Sequence, residues 1–337
     1  MYQQLYHHQD LKPCHFLVSG GAGFIGSHIV EYLLSNGAGK VRVLDNFSTG
    51  SINNIREFMG HPAFELIEGD IRDQNICRQA VDGIDYVSHQ AALGSVPRSI
   101  DDPITSNEVN VSGFLNMLVA AHKAGVTKMV YAASSSTYGD SPDLPKVENK
   151  IGNPLSPYAI TKLVNELYAD VFSKQYGFHA VGLRYFNIFG PRQNPKGAYA
   201  AVIPLFISAA LKNESPFING DGESSRDFTF VENAVQANIR ALLRTGMKQH
   251  EVVNIAFGER TTLNELWHHI TKMVGTDIQP AYRDFRQGDV KHSLASIHKA
   301  KNLIGYEPKI SVKDGLDLSV EWYKNSKHAI NTVDVAV

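Results

Sequence analysis

Short, almost wholly apolar runs alternate along the first half of the chain with longer segments of helical periodicity. Residues 14–19 (CHFLVS) run apolar into Gly20 and predict a buried strand. Residues 24–35 then place Ile25, Ile29, Val30, Leu33 and Leu34 at helical spacing. VRVLD at 41–45 predicts a second strand, and FELIEGD at 64–70 and DYVSHQ at 85–90 end in two more. KMVYAAS at 128–134 and HAVGLRYF at 179–186 continue the series, with helices expected over 107–124 and 157–176. Strands apolar along their whole length, alternating with helices, imply a doubly wound parallel α/β sheet covered on both faces. The rhythm breaks after residue 186. Proline and glycine cluster in FGPRQNPKGAY, and shorter helices are expected over 203–212, 232–244, 262–274 and 313–325. The expectation is a nucleotide-type domain over 14–186, its sheet completed by segments around 227–256, with a smaller α/β lobe interleaved over 187–330.

Composition narrows the function classes. At about 150 residues per domain, 337 residues suggest two domains or one large one. Hydrophobic residues at 43% and charged residues at 20% exclude a disordered or low-complexity chain. A formal charge of -2 gives no bulk field for nucleic acid or an acidic membrane, so neither partner is expected. Two cysteines, Cys14 and Cys77, exclude a disulfide framework and a Cys-rich zinc site. The 14 histidines fall in no metal-binding spacing, and no metal is expected. The first thirteen residues lack a signal-like apolar core, and no apolar run approaches the ~18 residues of a membrane span. The expected setting is a reducing cytoplasm.

The turn after the first strand reads GGAGFIG. Gly20 permits the tight turn, Gly23 lets backbone approach a pyrophosphate, and Gly26 lets helix pack closely on strand. The helix N-terminus then faces the phosphates. Asp45 ends the second strand about 20 residues on, where an acid accepts from a ribose 2′-hydroxyl and repels a 2′-phosphate. A Rossmann-type site for NAD, rather than NADP, follows.

Tyr158 and Lys162 form Y-x-x-x-K, weak alone but well placed. Ser156 and Pro157 make a good helix start, with Tyr158 in the first turn and Lys162 on the same face. A cation there is expected to pull the Tyr158 hydroxyl below its usual ~10, as a general base near neutrality requires. Ser134, Ser135 and Ser136 end the fifth strand, where ligands of open parallel sheets bind, and can relay a proton.

With these residues in view, GGAGFIG, Asp70 in EGDIRD, SSSTYG, Y-x-x-x-K and RYFN at 184–187 resemble an extended short-chain dehydrogenase/reductase over roughly residues 14–325. GSVPRS at 94–99, GAYAAVIP at 197–204 and INGDGESSRDF at 218–228 resemble the UDP-N-acetylhexosamine 4-epimerases of polysaccharide (O-antigen) synthesis. The resemblance implies reversible C4 inversion, UDP-GlcNAc to UDP-GalNAc, through a 4-keto sugar and transient hydride transfer to tightly held NAD. Tyr158 would be the base, Lys162 would hold the nicotinamide ribose, and Ser134 would bridge O4 and the phenol, with Ser135 and Ser136 nearby. It extends the cofactor site to Phe24 and Ile25 at the glycine turn, and to Asn46, Ser48, Thr49 and Gly50 beyond Asp45. Asp70 and Ile71, then Gln90, Ala91 and Ala92, and finally Asn110 and Tyr185, complete that site by position.

For substrate, the resemblance implies that Arg226 and Arg286 grip the diphosphate with Asn187 nearby. Ala201 and Val202 would form the uridine-side wall, Asp289 a polar contact, and Gly94, Ser95 and Ser293 the sugar end. In epimerases confined to non-acetylated sugars a tyrosine stands where this chain has Ser293. One departure is Ser296, where relatives carry an acid after H-S-x-A; this puts the local loop in doubt. A 4,6-dehydratase would need an Asp-Glu pair where Ser135 and Ser136 stand. A 4-epimerase of UDP-N-acetylated uronic acids stays open, as does, from another class, a non-catalytic NAD-binding regulator. By the same resemblance a homodimer is expected, paired through helices 104–124 and 157–176.

Overall fold

The structure is a computed structural model that describes residues 2, 4–195, 200–285 and 291–326. Seven strands form one sheet: β1 (His15–Ser19), β2 (Lys40–Asp45), β3 (Phe64–Glu68), β4 (Tyr86–His89), β5 (Lys128–Ser134), β6 (Val181–Tyr185) and β7 (Glu251–Ile255). Every pairing is parallel, and the order is β7-β6-β5-β4-β1-β2-β3. The chain leaves β1 toward β2 and β3, then returns to place β4 on the other side of β1. Loops therefore diverge at the carboxyl ends of β1 and β4 and open a crevice there. This is the doubly wound Rossmann-type arrangement the apolar strands imply.

Helices cover both faces. On one side α1 (Phe24–Ser35) and α8 (Val231–Leu242) pack Ile29, Leu33, Val235 and Ile239 against Val130, Val181 and Val253. On the other, α2 (Gln74–Val81), α5 (Phe114–Lys123) and α6 (Pro157–Tyr176) bury Cys77, Phe114, Met117, Leu118 and Phe172 against Leu17, Val87 and Met129. A separate apolar cluster builds the second lobe from α7 (Val202–Lys212), α9 (Leu263–Val274) and α11 (Val312–Asn325), centred on Phe206, Phe230, Trp267 and Leu316. Three short helices escape the periodicity: α2, α3 (Val96–Asp101) and α10 (His298–Ile304). Each has only about two turns, too few positions for a helical stripe to stand out. In α2 the local signal is instead its cap, Asp73, which accepts from the N–H groups of Asn75 and Ile76.

The helix expected over 107–124 is not continuous. It comprises α4 (Pro103–Asn107), a π-helical turn over Glu108–Gly113, and α5. The wide turn carries the buried Asn110. By contrast α6 has the expected bounds: Ser156 caps it by accepting from Ala159 N–H at 3.1 Å, Pro157 opens it, and Gly177 ends it in the left-handed conformation.

One buried ion pair ties α6 to β6. Arg184 donates a fork to Glu166 at 2.9 and 2.8 Å, with both side chains under 9% exposed. The guanidinium lies 4.8 Å from the Tyr138 ring centroid, and Tyr138 donates to Asn254 Oδ1 on β7 at 2.6 Å. Removing one partner strands a buried charge. Glu166→Ala is expected to destabilise the fold by about 3–5 kcal/mol, read as a lower urea midpoint at unchanged slope.

Candidate active site

The crevice at the β1/β4 switch point is a cleft of about 490 Å³. Its floor is the glycine turn. A Cβ on Gly20 would sit 2.6 Å from Ala91 N, and one on Gly26 would sit 2.1 Å from the Gly20 carbonyl oxygen, so both positions exclude a side chain. Gly23 caps α1 and offers no side-chain acceptor, which leaves the first N–H groups of α1 facing the cleft. Phe24 and Ile25 line it beside these glycines.

Asp45 stands at the far end. Its oxygens accept from Ala22 N–H at 2.9 Å and Phe47 N–H at 2.8 Å, which fixes the carboxylate while leaving lone pairs toward the cleft. Burial pushes its carboxyl up, and those donors oppose the shift. Asn46, Ser48, Thr49, Asp70 and Ile71 line the same end, with Asn46 donating to Asp70 at 2.9 Å. Gln90, Ala91, Ala92 and Gly94 form the opposite lip, and Tyr185 donates to Gln90 Oε1 at 3.1 Å. The bare helix terminus, glycine floor and fixed acid suit a dinucleotide.

Tyr158 and Lys162 close the inner end with Ser134 and Ser135. The Tyr158 N–H, an orphan in the first turn, donates to Ser99 Oγ at 3.0 Å. Lys162 is 3% exposed; its Nζ donates to the Ala132 carbonyl at 2.8 Å and lies 5.9 Å from the Tyr158 ring centroid. Ser134 accepts from Ser136 N–H at 3.1 Å and from Ser136 Oγ at 2.9 Å. With those two donors bound to its oxygen, the Ser134 hydroxyl acts on the Tyr158 phenol in the sense that favours the phenolate.

The expected tuning of Tyr158 is reversed. Burial pushes the phenol above its usual value, and Ser134, not Lys162, acts the other way. Burial also draws the Lys162 amine down to about 8. Desolvation outweighs a cation that is itself buried and turned to a carbonyl.

A second cavity, about 430 Å³, adjoins the first and shares Ser134, Ser135 and Asn187 with it. Ser136, Arg226 and Ser293 line it, as do Lys146, Tyr138 and Phe186, which the sequence did not single out. Ser293 lies in the segment 291–296, which main-chain bonds hold in place beside the cavity. Ser293 N–H donates to the Ser225 carbonyl at 3.0 Å, Ala295 N–H to Asp227 Oδ2 at 3.1 Å, and Lys146 N–H to the Leu294 carbonyl at 2.7 Å. Buried Asp227 also accepts from Phe257 and Gly258 N–H, both at 3.1 Å, and burial lifts its carboxyl to about 7. Ser296, where an acid was missed, donates its N–H to the Lys146 carbonyl at 2.9 Å, so backbone pairing holds the loop.

Some expected contacts lie elsewhere. Asn110 spends its amide on the Leu93 backbone, accepting at 2.7 Å and donating at 3.0 Å, and so shapes the lip from behind. Ser95 caps α3 by accepting from Arg98 N–H at 3.4 Å. Gly50 allows close approach to Ala22 and Asp45, and Ala201 and Val202 start α7. Among the described residues none of these five lines either cavity. Arg286 and Asp289 lie outside the described residues.

Residues 16–256 match the NAD dependent epimerase/dehydratase family. The chain belongs to this family. It is an NAD-dependent enzyme whose relatives include UDP-sugar 4-epimerases. Over 312 residues it is 40% identical to a Methanocaldococcus jannaschii protein assigned as a UDP-glucose 4-epimerase, covering 92% of this chain and 98% of the other. A UDP-N-acetylglucosamine 4-epimerase from Methanobrevibacter ruminantium, solved with UDP-N-acetylmuramic acid, is 39% identical with a TM-score of 0.87, covering 92% and 98% of the two chains. The UDP-glucose 4-epimerase of Thermotoga maritima, solved with UDP-glucose, is 37% identical with a TM-score of 0.86 at the same coverage. No described helix is long and apolar enough to cross a membrane.

The serine geometry has a measurable consequence. Ser134→Ala removes the donor that favours the phenolate, so the Tyr158 pKa should rise further. Tyrosinate absorbance against pH, taken as the difference from a Tyr158→Phe control, reads the shift.

Proposed function

We propose that this enzyme inverts C4 of UDP-N-acetylhexosamines, interconverting UDP-GlcNAc and UDP-GalNAc. The observation that carries this reading is the pair of adjoining cavities, one suited to a dinucleotide and lined by Tyr158, one lined by Ser293, meeting at Ser134, Ser135 and Asn187. Tyr158 takes the O4 proton, with Ser134 in the relay, and returns it after the sugar has turned over. NAD, held by the glycine turn and Asp45, would supply the hydride acceptor and donor that C4 inversion needs. Lys162 would hold the nicotinamide ribose of that cofactor beside Tyr158. Arg226, with Asn187 beside it, meets the diphosphate; a guanidinium fork suits that charge and shape. Asp45 meets the adenosine ribose.

The N-acetyl preference rests on the small Ser293 side chain. The Methanobrevibacter ruminantium relative, named for an N-acetylated sugar, supports it, while relatives named for UDP-glucose make it worth testing. Incubation with a panel of UDP-sugars, without added cofactor, should give C4 inversion by NMR, fastest for the N-acetylated members. No inversion of any member would refute the reading. Ser293→Tyr should fill the pocket beside C2 and cost N-acetylated sugars about 1–3 kcal/mol, roughly ten- to a hundredfold in kcat/KM, while sparing UDP-glucose.

The working unit is a dimer. Ile160, Leu167 and Val171 form an apolar stripe on α6, each at least 49% exposed, and Ile104 on α4 is 72% exposed beside it. Such a stripe suits a second copy of the chain. Leu167→Asp is expected to shift the protein to monomer in sedimentation velocity.

A further inference from the structure

A further cavity, about 590 Å³, lies between the segment before β1 and the ends of α8 and α10. It falls within the roughly 300–1,000 Å³ of small-molecule sites and shares no lining residue with the two cavities of the active site. Its titratable lining is His7, His8, Arg240 and Arg244, with no carboxylate among the described residues. The wall before β1 is fixed by contacts outside the cavity. Tyr6 stacks on Tyr32 of α1 with ring centroids 5.1 Å apart, and its N–H donates to the Tyr32 hydroxyl at 2.7 Å. The Tyr6 hydroxyl donates to Glu232 Oε1 at 2.6 Å, so the acid of α8 is already engaged.

Arg240 is half-buried, yet among the described residues its side chain makes no hydrogen bond or ion pair. Arg42, Arg98, Arg184, Arg192 and Arg226, the other described arginines that are not exposed, each have a partner. Withdrawing an unpaired charge from water is costly. Gly305 ends α10 beside it, and a Cβ there would come 3.2 Å from Arg240 Nη1, so a side chain would crowd the guanidinium. Arg244, past the end of α8, is exposed and equally unpaired. The carbonyl ends of α8 and α10 favour cations here. They account for the charge, but not for a cavity left open between two unpaired guanidiniums. Such forked donors match phosphate oxygens. Leu5, Tyr6, Leu243 and Ile304 supply apolar lining beside them, suited to a flat ring.

We propose that this cavity binds a nucleotide, its phosphates between Arg240 and Arg244 and its base against the apolar lining. The proposal stands apart from the 4-epimerase reading.

The test titrates ATP into protein saturated with NAD and UDP, which fill the active-site cavities, and follows binding by calorimetry. The native protein should bind ATP beyond those ligands. Arg240→Gln and Arg244→Gln should each weaken it about ten- to a hundredfold, the size of a hydrogen bond to a charged group. Arg240→Lys, which keeps the charge and loses the fork, should weaken it less. Pyrophosphate, which lacks the ring, should bind about tenfold weaker than ATP or worse. Unchanged affinity in both glutamine variants, with only the melting temperature lowered, would make the arginines partners of the helix ends and overturn the proposal. So would a native protein that binds no further ATP, or one that binds pyrophosphate as tightly. Arg244 is exposed, so Arg244→Gln keeps the test decisive if Arg240→Gln fails to fold. The variants read this cavity whether or not the protein turns over a UDP-sugar.

Discussion

The close passage of α1 past the end of β1 is the constraint on which the rest depends. Gly26 lies so near the Gly20 carbonyl that even a methyl group would drive backbone apart. That contact aims the bare amides of α1 into the crevice and brings the turn against Ala91 after β4. The two halves of the sheet therefore meet around backbone, and charge enters the cleft at Asp45 and Asp70 at one end and at Lys162 at the other. A dinucleotide is matched by shape first and by polar contacts second.

The inner end is assembled from unrelated stretches of chain by buried hydrogen bonds. Ser134 gets its direction from Ser136, Tyr158 its placement from Ser99, and the segment 291–296 its position from Asp227. Lys162 and Asp227 are moved by burial in opposite senses, the amine down to about 8 and the carboxyl up to about 7. Both shifts have one cause: these groups are withdrawn from water and held with few counter-ions.

Much of this was legible beforehand, for physical reasons. Apolar strands buried on both faces announce themselves, and Ser156, Pro157 and Gly177 mark α6 because caps are local chemistry. GGAGFIG and Asp45 come to line one cleft because their spacing carries the geometry. The rest depends on contacts between distant residues. Nothing in residues 108–113 signals the π-helical turn, whose Asn110 has its partners on Leu93 and Thr161. Nor does sequence show that desolvation outweighs Lys162 at the Tyr158 phenol. Lys146 becomes visible only once Ser293 is folded beside it.

The segment 291–296, which brings Ser293 to the second cavity, is not part of the seven-stranded sheet. It hangs from Lys146 on one side and from Ser225 and Asp227 on the other, almost wholly through main-chain groups. Main-chain anchors are indifferent to the side chains they carry. Positions such as 293 can thus vary without disturbing the cofactor half, which leaves the scaffold free to diverge in the sugar it accepts. Evolvability in this architecture resides in a six-residue strap rather than in the core.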